Sequence, residues 1–315
     1  MILAAASGAW AQTAAWQPDK PISVIVGTSP GGSADHTARM LQKLLQEMKV
    51  GGSASVVNKP GAGYALSFTF LNQFPGDAHY IAISPINIVT NSITRTSPLN
   101  YADVTPLAQL FSDYHVFSMS AESPVQTGRD LVERLRRDPT SLSIAVSPGF
   151  GTANHLAAGA VLKAAGVDTR KLKIVAFASA GESTAAVLGG HADVLVSATP
   201  AIMQLLESRK LRALATTGPQ RTGGLFASVP TWKELQVDVV FSNWRGVIGP
   251  KGLTPSQIAF WDNVFARLVR TDEWKKDLAG NFQESTYMNS ADSRKFLQAQ
   301  AREFAALLTE LGLAK

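Results

Sequence analysis

Two hydrophobic rhythms alternate along this chain. Short runs rich in Val, Ile and Ala predict strands at Ser23 to Val26, Ser55 to Asn58, Tyr80 to Ile83 and Val116 to Met119. Four more follow at Leu142 to Val146, Lys173 to Phe177, Ala192 to Ser197 and Leu211 to Thr216. Between them apolar residues recur at helical spacing, as in Ala34, Ala38, Leu41 and Leu45, with Arg39, Lys43 and Glu47 left for water. Strands alternating with helices predict an α/β protein with mainly parallel sheets under helices. Ligands of such folds bind at the carboxyl ends of strands. The stretch from Thr254 to Leu313, with the stripe Leu297, Ala301, Phe304 and Leu308, reads as a closing helical cap. No run reaches the roughly 18 uninterrupted apolar residues of a membrane span, so a soluble mature protein is expected.

Two segments read alike: IVGTSPGGSADHTARML from Ile25 and AVSPGFGTANHLAAGAVL from Ala145. Each leaves a strand through Ser-Pro-Gly, crosses small residues and enters a helix opened by a hydroxyl residue, Ser33 in one and Thr152 in the other. Glycines permit close backbone approach, and the N–H groups of a first helical turn carry partial positive charge, so each loop is a candidate anion cradle. Neither contains the lysine of the NTPase phosphate loop, which points to a smaller anion such as a carboxylate. Ordinary turn chemistry explains either loop alone. Two in one chain point to a ligand held between two lobes.

Composition narrows the class. The 315 residues are 45% hydrophobic and 17% charged, enough for two cores and too sparsely charged for disorder. The net charge of +5 suits anionic solutes, but the short basic cluster Arg134, Arg136 and Arg137 has Glu133 and Asp138 beside it and reads as a solvated helix face, which speaks against nucleic acid. No cysteine is present, which excludes disulfides and thiolate sites. His36, His79, His115, His155 and His191 show no metal-ligand spacing, so neither metal nor other cofactor is expected. The opening MILAAASGAWAQ, with Ala9-Trp10-Ala11 in A-x-A form, reads as a signal-peptide remnant over residues 1–11, with Gln12 as the mature N-terminus and either a start codon placed late or a trimmed N-terminus.

The residues also carry a family resemblance. Pro21-Ile22 before SPGGSADHTAR, VVNKPGAG from Val56, SPGFGTANHLAAG, VLGGHADV from Val187, LRALATTGPQR from Leu211, SVPTWKEL from Ser228 and NWRGVIGPKGLTP from Asn243 follow in order over nearly the whole chain. Together they resemble the Bug family, periplasmic solute-binding proteins of tripartite tricarboxylate transporters. The resemblance implies a type II periplasmic-binding-protein fold: two α/β lobes with a ligand cleft between them and two crossing strands, near Phe117 and Trp244. One lobe would take residues 20–121 and 245–315, the other 122–244. It implies capture of a small organic carboxylate, delivery to membrane permease subunits, a monomer, a periplasmic location and no catalysis.

Carried over by position, the resemblance puts Ser29, Gly31, Gly32, Ser33 and Asp35 on one side of the carboxylate and Ser147, Gly149, Gly151, Thr152 and His155 on the other. By topology Ser84, Pro85 and Asn87 join the first side, and Asp193, Ser197 and Thr199 the second. Asp35 also suits a first helical turn with no ligand present, and His155 reads equally well as a structural hydrogen-bonding residue. Asn58 is read as fixing the following turn. The chain departs from the family pattern at Tyr64, where glycine is common, at the turn Pro75 to Tyr80, and at Phe177-Ala178-Ser179, so the resemblance leaves the choice of substrate to these positions. Arg245 stands where an apolar residue is common: a clamp for a second carboxylate, or a surface arginine stacked on Trp244. Two further functions stay open, a receptor presenting its ligand to a signalling partner, and a serine hydrolase using Ser183 in Gly181-Glu182-Ser183-Thr184-Ala185, a near miss of the nucleophile elbow.

Overall fold

The computed structural model describes residues 16–314, so the signal-peptide cleavage expected at Gln12 lies outside the described residues. In chain order the first elements are β1 (Ile22–Val26), α1 (Ser33–Glu47), β2 (Ala54–Asn58), α2 (Ala65–Leu71), β3 (Tyr80–Ser84), α3 (Asn87–Ile93) and β4 (Val104–Ser120). Next come α4 (Gly128–Arg137), β5 (Ser143–Val146), α5 (Ala153–Ala164), β6 (Lys173–Ala176), α6 (Ala180–Leu188), β7 (Val194–Ala198), α7 (Met203–Glu207) and β8 (Leu211–Thr216). The chain closes with β9 (Ser242–Pro250), α8 (Pro255–Leu268), α9 (Asp272–Gly280), β10 (Glu284–Met288) and α10 (Ser290–Glu310).

The strands form a curled sheet whose two halves share β4. In the first half β2, β1 and β3 are parallel, then β9, β4 and β10 follow, each antiparallel to its neighbour. In the second half β6, β5 and β7 are parallel, and β4 lies antiparallel between β7 and β8. The expectation of mainly parallel sheets holds at the flanks and is corrected in the middle. There the strands linking the halves run against each other, Tyr114 opposite Ser242 and Val104 opposite Pro250. β4 leaves the first half at Tyr114 and enters the second at His115.

The long β4 was legible only at its end, because Pro106 interrupts it and Gln109, Ser112, Asp113 and His115 break its apolar pattern. The structure absorbs both. The pairing slips at Pro106, where a ladder donor is missing, and the polar residues are buried in the shared middle of the sheet. The C-terminal region is not purely helical, since β10 forms an edge strand on β4. The stripe of α1 buries Leu41 and Leu45 in one cluster with Trp261, Phe265 and Trp274 of the C-terminal helices. The far end of α10 reaches the other half, where Phe304 lies beside Phe241, Leu311 packs over Gly159 and Lys163 pairs with Glu310 at 2.8 Å.

Candidate functional site

Parallel pairing aligns the carboxyl ends of β1, β2 and β3, so the chain after Val26, Asn58 and Ser84 gathers on one edge of the first half. Likewise β5 delivers Ser147 to Thr152 to the corresponding edge of the second. The edges meet across a gap. A cavity of about 360 Å³ there is lined by Gly63, Asn87, Asn91 and Thr94 from one half and by Phe150, Gly151 and Thr152 from the other.

The echo between the two loops is structural as well as textual, but its register differs from the one read in the sequence. The N-caps are Gly32 and Thr152, so Ser33 is the first residue inside its helix. In both loops the glycine before the cap has positive φ, +88° at Gly31 and +71° at Gly151, a region that side chains disfavour. In both its N–H donates to the side chain four residues on, Gly31 to Asp35 Oδ2 at 2.9 Å and Gly151 to His155 Nδ1 at 3.1 Å.

Asp35 and His155 are therefore the two latches of the loops. Asp35 is 1% exposed and also accepts from Arg39 Nε at 2.8 Å and Asn58 Nδ2 at 2.8 Å. Burial alone would raise its pKa, but Arg39, Asn58 and the Gly31 amide outweigh that and hold the carboxyl at about 2. Asn58 also donates to Thr28 O at 2.9 Å, so it fixes the loop after β1 and not its own turn. Burial lowers His155 to about 4, so the ring is neutral and its Nδ1 is an acceptor. Phe150, 58% exposed, packs edge-on against it.

What the latches leave open is the first turn itself. Every other helix of eight or more residues among those described, α4, α6, α8, α9 and α10, has an N-cap side chain accepting from a first-turn amide. The N-caps of α1 and α5 make no such bond, since Gly32 has no side chain and the Thr152 hydroxyl donates to Gly149 O at 2.9 Å. Their first-turn N–H groups are left to an outside acceptor, with the helix dipole favouring an anion.

Several expected residues lie elsewhere. Asp193 is a correction: it precedes β7, at the opposite end of the strands, and its carboxylate accepts from Ser143 N and Oγ, both at 2.7 Å. Thr199 is buried and donates to Tyr114 O at 2.8 Å, pinning the sheet crossing. Ser84 shares a small void with Trp244 and Leu297 on the α10 side. Ser147 Oγ accepts from Ser183 at 3.3 Å, and its carbonyl accepts from Asn154. Ser29 is exposed and Gly149, at φ +97°, has open space around it. The departures also find places. The Tyr64 ring fills the space a side chain at Gly27 would need, 2.3 Å from an ideal Cβ, and Ser179 caps α6. Ser183 sits within α6 with its hydroxyl donating to Ala180 O and to Ser147, which gives it neither a strained turn nor a histidine partner.

The family model described as "Tripartite tricarboxylate transporter family receptor" matches residues 37–313. The chain belongs to this receptor family. Its members are substrate-binding receptors, and the fold is that of periplasmic binding proteins. A Cupriavidus necator protein, "UPF0065 protein in gbd 5'region", is 30% identical over 301 residues, covering 95% of this chain and 89% of that one. BugT of Bordetella pertussis is 23% identical over 300 residues, covering 94% and 90%. Among solved structures, one of a Rhodopseudomonas palustris protein with adipate superposes with a TM-score of 0.80 at 22% identity, covering 94% of this chain and 99% of that one. No helix among the described residues of this receptor-family chain is long and apolar enough to cross a membrane.

Proposed function

We propose that this protein captures a small organic carboxylate between its two lobes outside the cytoplasmic membrane and delivers it to the permease subunits of a tripartite tricarboxylate transporter. The observation that carries the reading is the pair of uncapped helix N-termini, α1 following β1 in the first half and α5 following β5 in the second. The carboxylate accepts from the amides of Ser33 and Ala34 on one side and Ala153 and Asn154 on the other, with Ser29, Gly32 and Thr152 as flanking contacts. Backbone donors hold an anion without a fixed cation and tolerate bridging water. In this reading residues 20–121 with 245–315 form one lobe and 122–244 the other, Gln12 begins the mature protein, and the protein catalyses nothing. A thermal-shift series over mono-, di- and tricarboxylates tests it. A ligand at a hundred times its dissociation constant adds about 2.7 kcal/mol of stability. A chain that no carboxylate stabilises, with neutral isosteres equally inert, refutes the reading.

A further inference from the structure

The cavity in the gap is polar without being charged. From the first half, α3 and the residues after it contribute Asn87, Thr90, Asn91, Thr94 and Thr96, and Thr152 faces them from the second. The rest of the wall is glycine or apolar, with Phe150 and Leu313 its largest side chains. Among the described residues no charged side chain lines the cavity. Arg95 directly follows Thr94 yet is not part of the wall. Arg245 does not line it either: its Nη1 donates to Asn243 Oδ1 at 2.9 Å and to Trp244 O at 3.0 Å, so the guanidinium is tied into β9.

Helical spacing decides which groups turn toward it. Asn87, Asn91 and Thr94 recur at steps of four and three residues and so share one face of α3 and its C-cap. Two of them are already engaged. Asn91, 4% exposed, donates from Nδ2 to Gly63 O at 2.7 Å. Thr94 donates from Oγ1 to Thr90 O at 3.0 Å, and its Cγ2 lies 3.5 Å from an ideal Cβ on Gly151, across the gap. Asn87 is half-buried, and its side chain forms no hydrogen bond among the described residues. Its Nδ2 and the Asn91 Oδ1 lie 3.4 and 3.5 Å from an ideal Cβ on Gly63, so an amide donor and an amide acceptor flank that glycine on the cavity wall. Such a pair suits a neutral group that both accepts and donates, a hydroxyl or an amide. A carboxylate at the same place would give up its water and meet no cation in return.

The cavity begins at Gly151 and Thr152, beside the first turn of α5, so a ligand whose carboxylate rests on that turn extends into it. We infer that this far end of the ligand is uncharged and that Asn87 is its specificity determinant, so that the protein selects a monocarboxylate bearing a hydroxyl or an amide over the diacid of the same chain length. The inference rests on the proposed carboxylate-binding function.

The test is calorimetric titration of the full mature chain at pH 7 with short straight-chain acids, each taken as the plain monoacid, the ω-hydroxy acid, the ω-amide and the diacid. Wild type binds a hydroxy or amide acid about tenfold or more tightly than the diacid of its length, and several-fold more tightly than the plain monoacid, as one neutral hydrogen bond provides. In Asn87→Leu the ratio of hydroxy or amide acid to plain monoacid collapses toward one. Asn87→Lys sets a cation in the wall and turns the preference toward the diacid. Circular dichroism and melting confirm the fold of both variants. A wild-type protein that binds the diacid as tightly as its hydroxy and amide counterparts overturns the inference without any variant. An Asn87→Leu protein that keeps the wild-type ratio overturns it as well, as does an Asn87→Lys protein with no relative gain for the diacid. If no acid of any kind binds wild type, the carboxylate-receptor reading itself fails.

Discussion

Replacing Asp35 by Asn tests how the first cradle is held. The carboxylate accepts from the Gly31 amide at 2.9 Å, from Arg39 Nε at 2.8 Å and from Asn58 Nδ2 at 2.8 Å, while being 1% exposed. An amide at this position removes the charge and turns one oxygen into a donor facing donors. The magnitude follows from titration. A carboxyl held at about 2, against an ordinary value of 3.8, favours the folded state by about 2–3 kcal/mol at neutral pH. The sign is that of a depressed acid: the contribution is complete above pH 4 to 5, shrinks as pH falls through 3.8, and is gone below about 2. Urea unfolding of wild type and Asp35→Asn at pH 7, 4 and 2.5 measures it. The expected gap is about 2–3 kcal/mol at pH 7, narrowing steadily toward pH 2.5. Carboxylate affinity at pH 7 should fall as well, because the latch sets the φ +88° turn at Gly31. A gap that is absent at pH 7, or equally wide at pH 2.5, refutes the latch.

Three further outcomes are expected. His115 and His155 are held near 3 and 4 by burial, so the unfolded chain takes up their protons first and stability falls as pH drops from about 6.5 to 4. In His115→Gln the slope of stability against pH in that window should ease by up to about 1.4 kcal/mol per pH unit, and an unchanged slope would contradict the burial of the neutral ring. Small-angle scattering should report a smaller radius of gyration with a bound carboxylate, since the donors come from two lobes; a tight ligand with no change means that no closure accompanies binding. Expressed with a complete signal in a Gram-negative host, the protein should be recovered from the periplasm beginning at Gln12, which intact mass determines.

The parts of the fold that announced themselves are those whose pattern is local. β1, β3 and β8 are short apolar runs between polar turns, and the α1 stripe faces the core as its spacing required. The shared middle of the sheet was obscured because its chemistry is not local. Asp113 and His115 are polar yet buried, Pro106 interrupts its own strand, and β10 is a polar edge strand without an apolar signature. The site divides the same way. The cradles were visible as Ser-Pro-Gly before a helix, but the choice of cap was not, because Ser33 has the right chemistry and Gly32 the right place. Asp35 and His155 were drawn into the site by sequence position, whereas the structure shows their acceptors already engaged with glycine amides. Asn154, which donates to Ser147 O, and His115, buried where β4 changes halves, carried no signal in the sequence.

In the proposed function one carboxylate is held between the first turns of α1 and α5. The most direct measurement is its affinity in Gly32→Asp and Thr152→Asp, because both are N-cap positions where aspartate suits a helix. Gly32 has φ −78° with its nearest neighbour 3.5 Å from an added Cβ, so the substitution adds no backbone strain, unlike one at Gly149 with φ +97°. Gly32→Asp should melt no lower than wild type, since its carboxylate caps the helix, and Thr152→Asp should melt close to wild type, gaining the same cap while losing the hydroxyl bond to Gly149 O; in both the cap should occupy the donors and repel the ligand. Affinity should fall by more than tenfold in each. A folded Thr152→Asp protein that binds as tightly as wild type while Gly32→Asp does not would show that only one lobe carries the site.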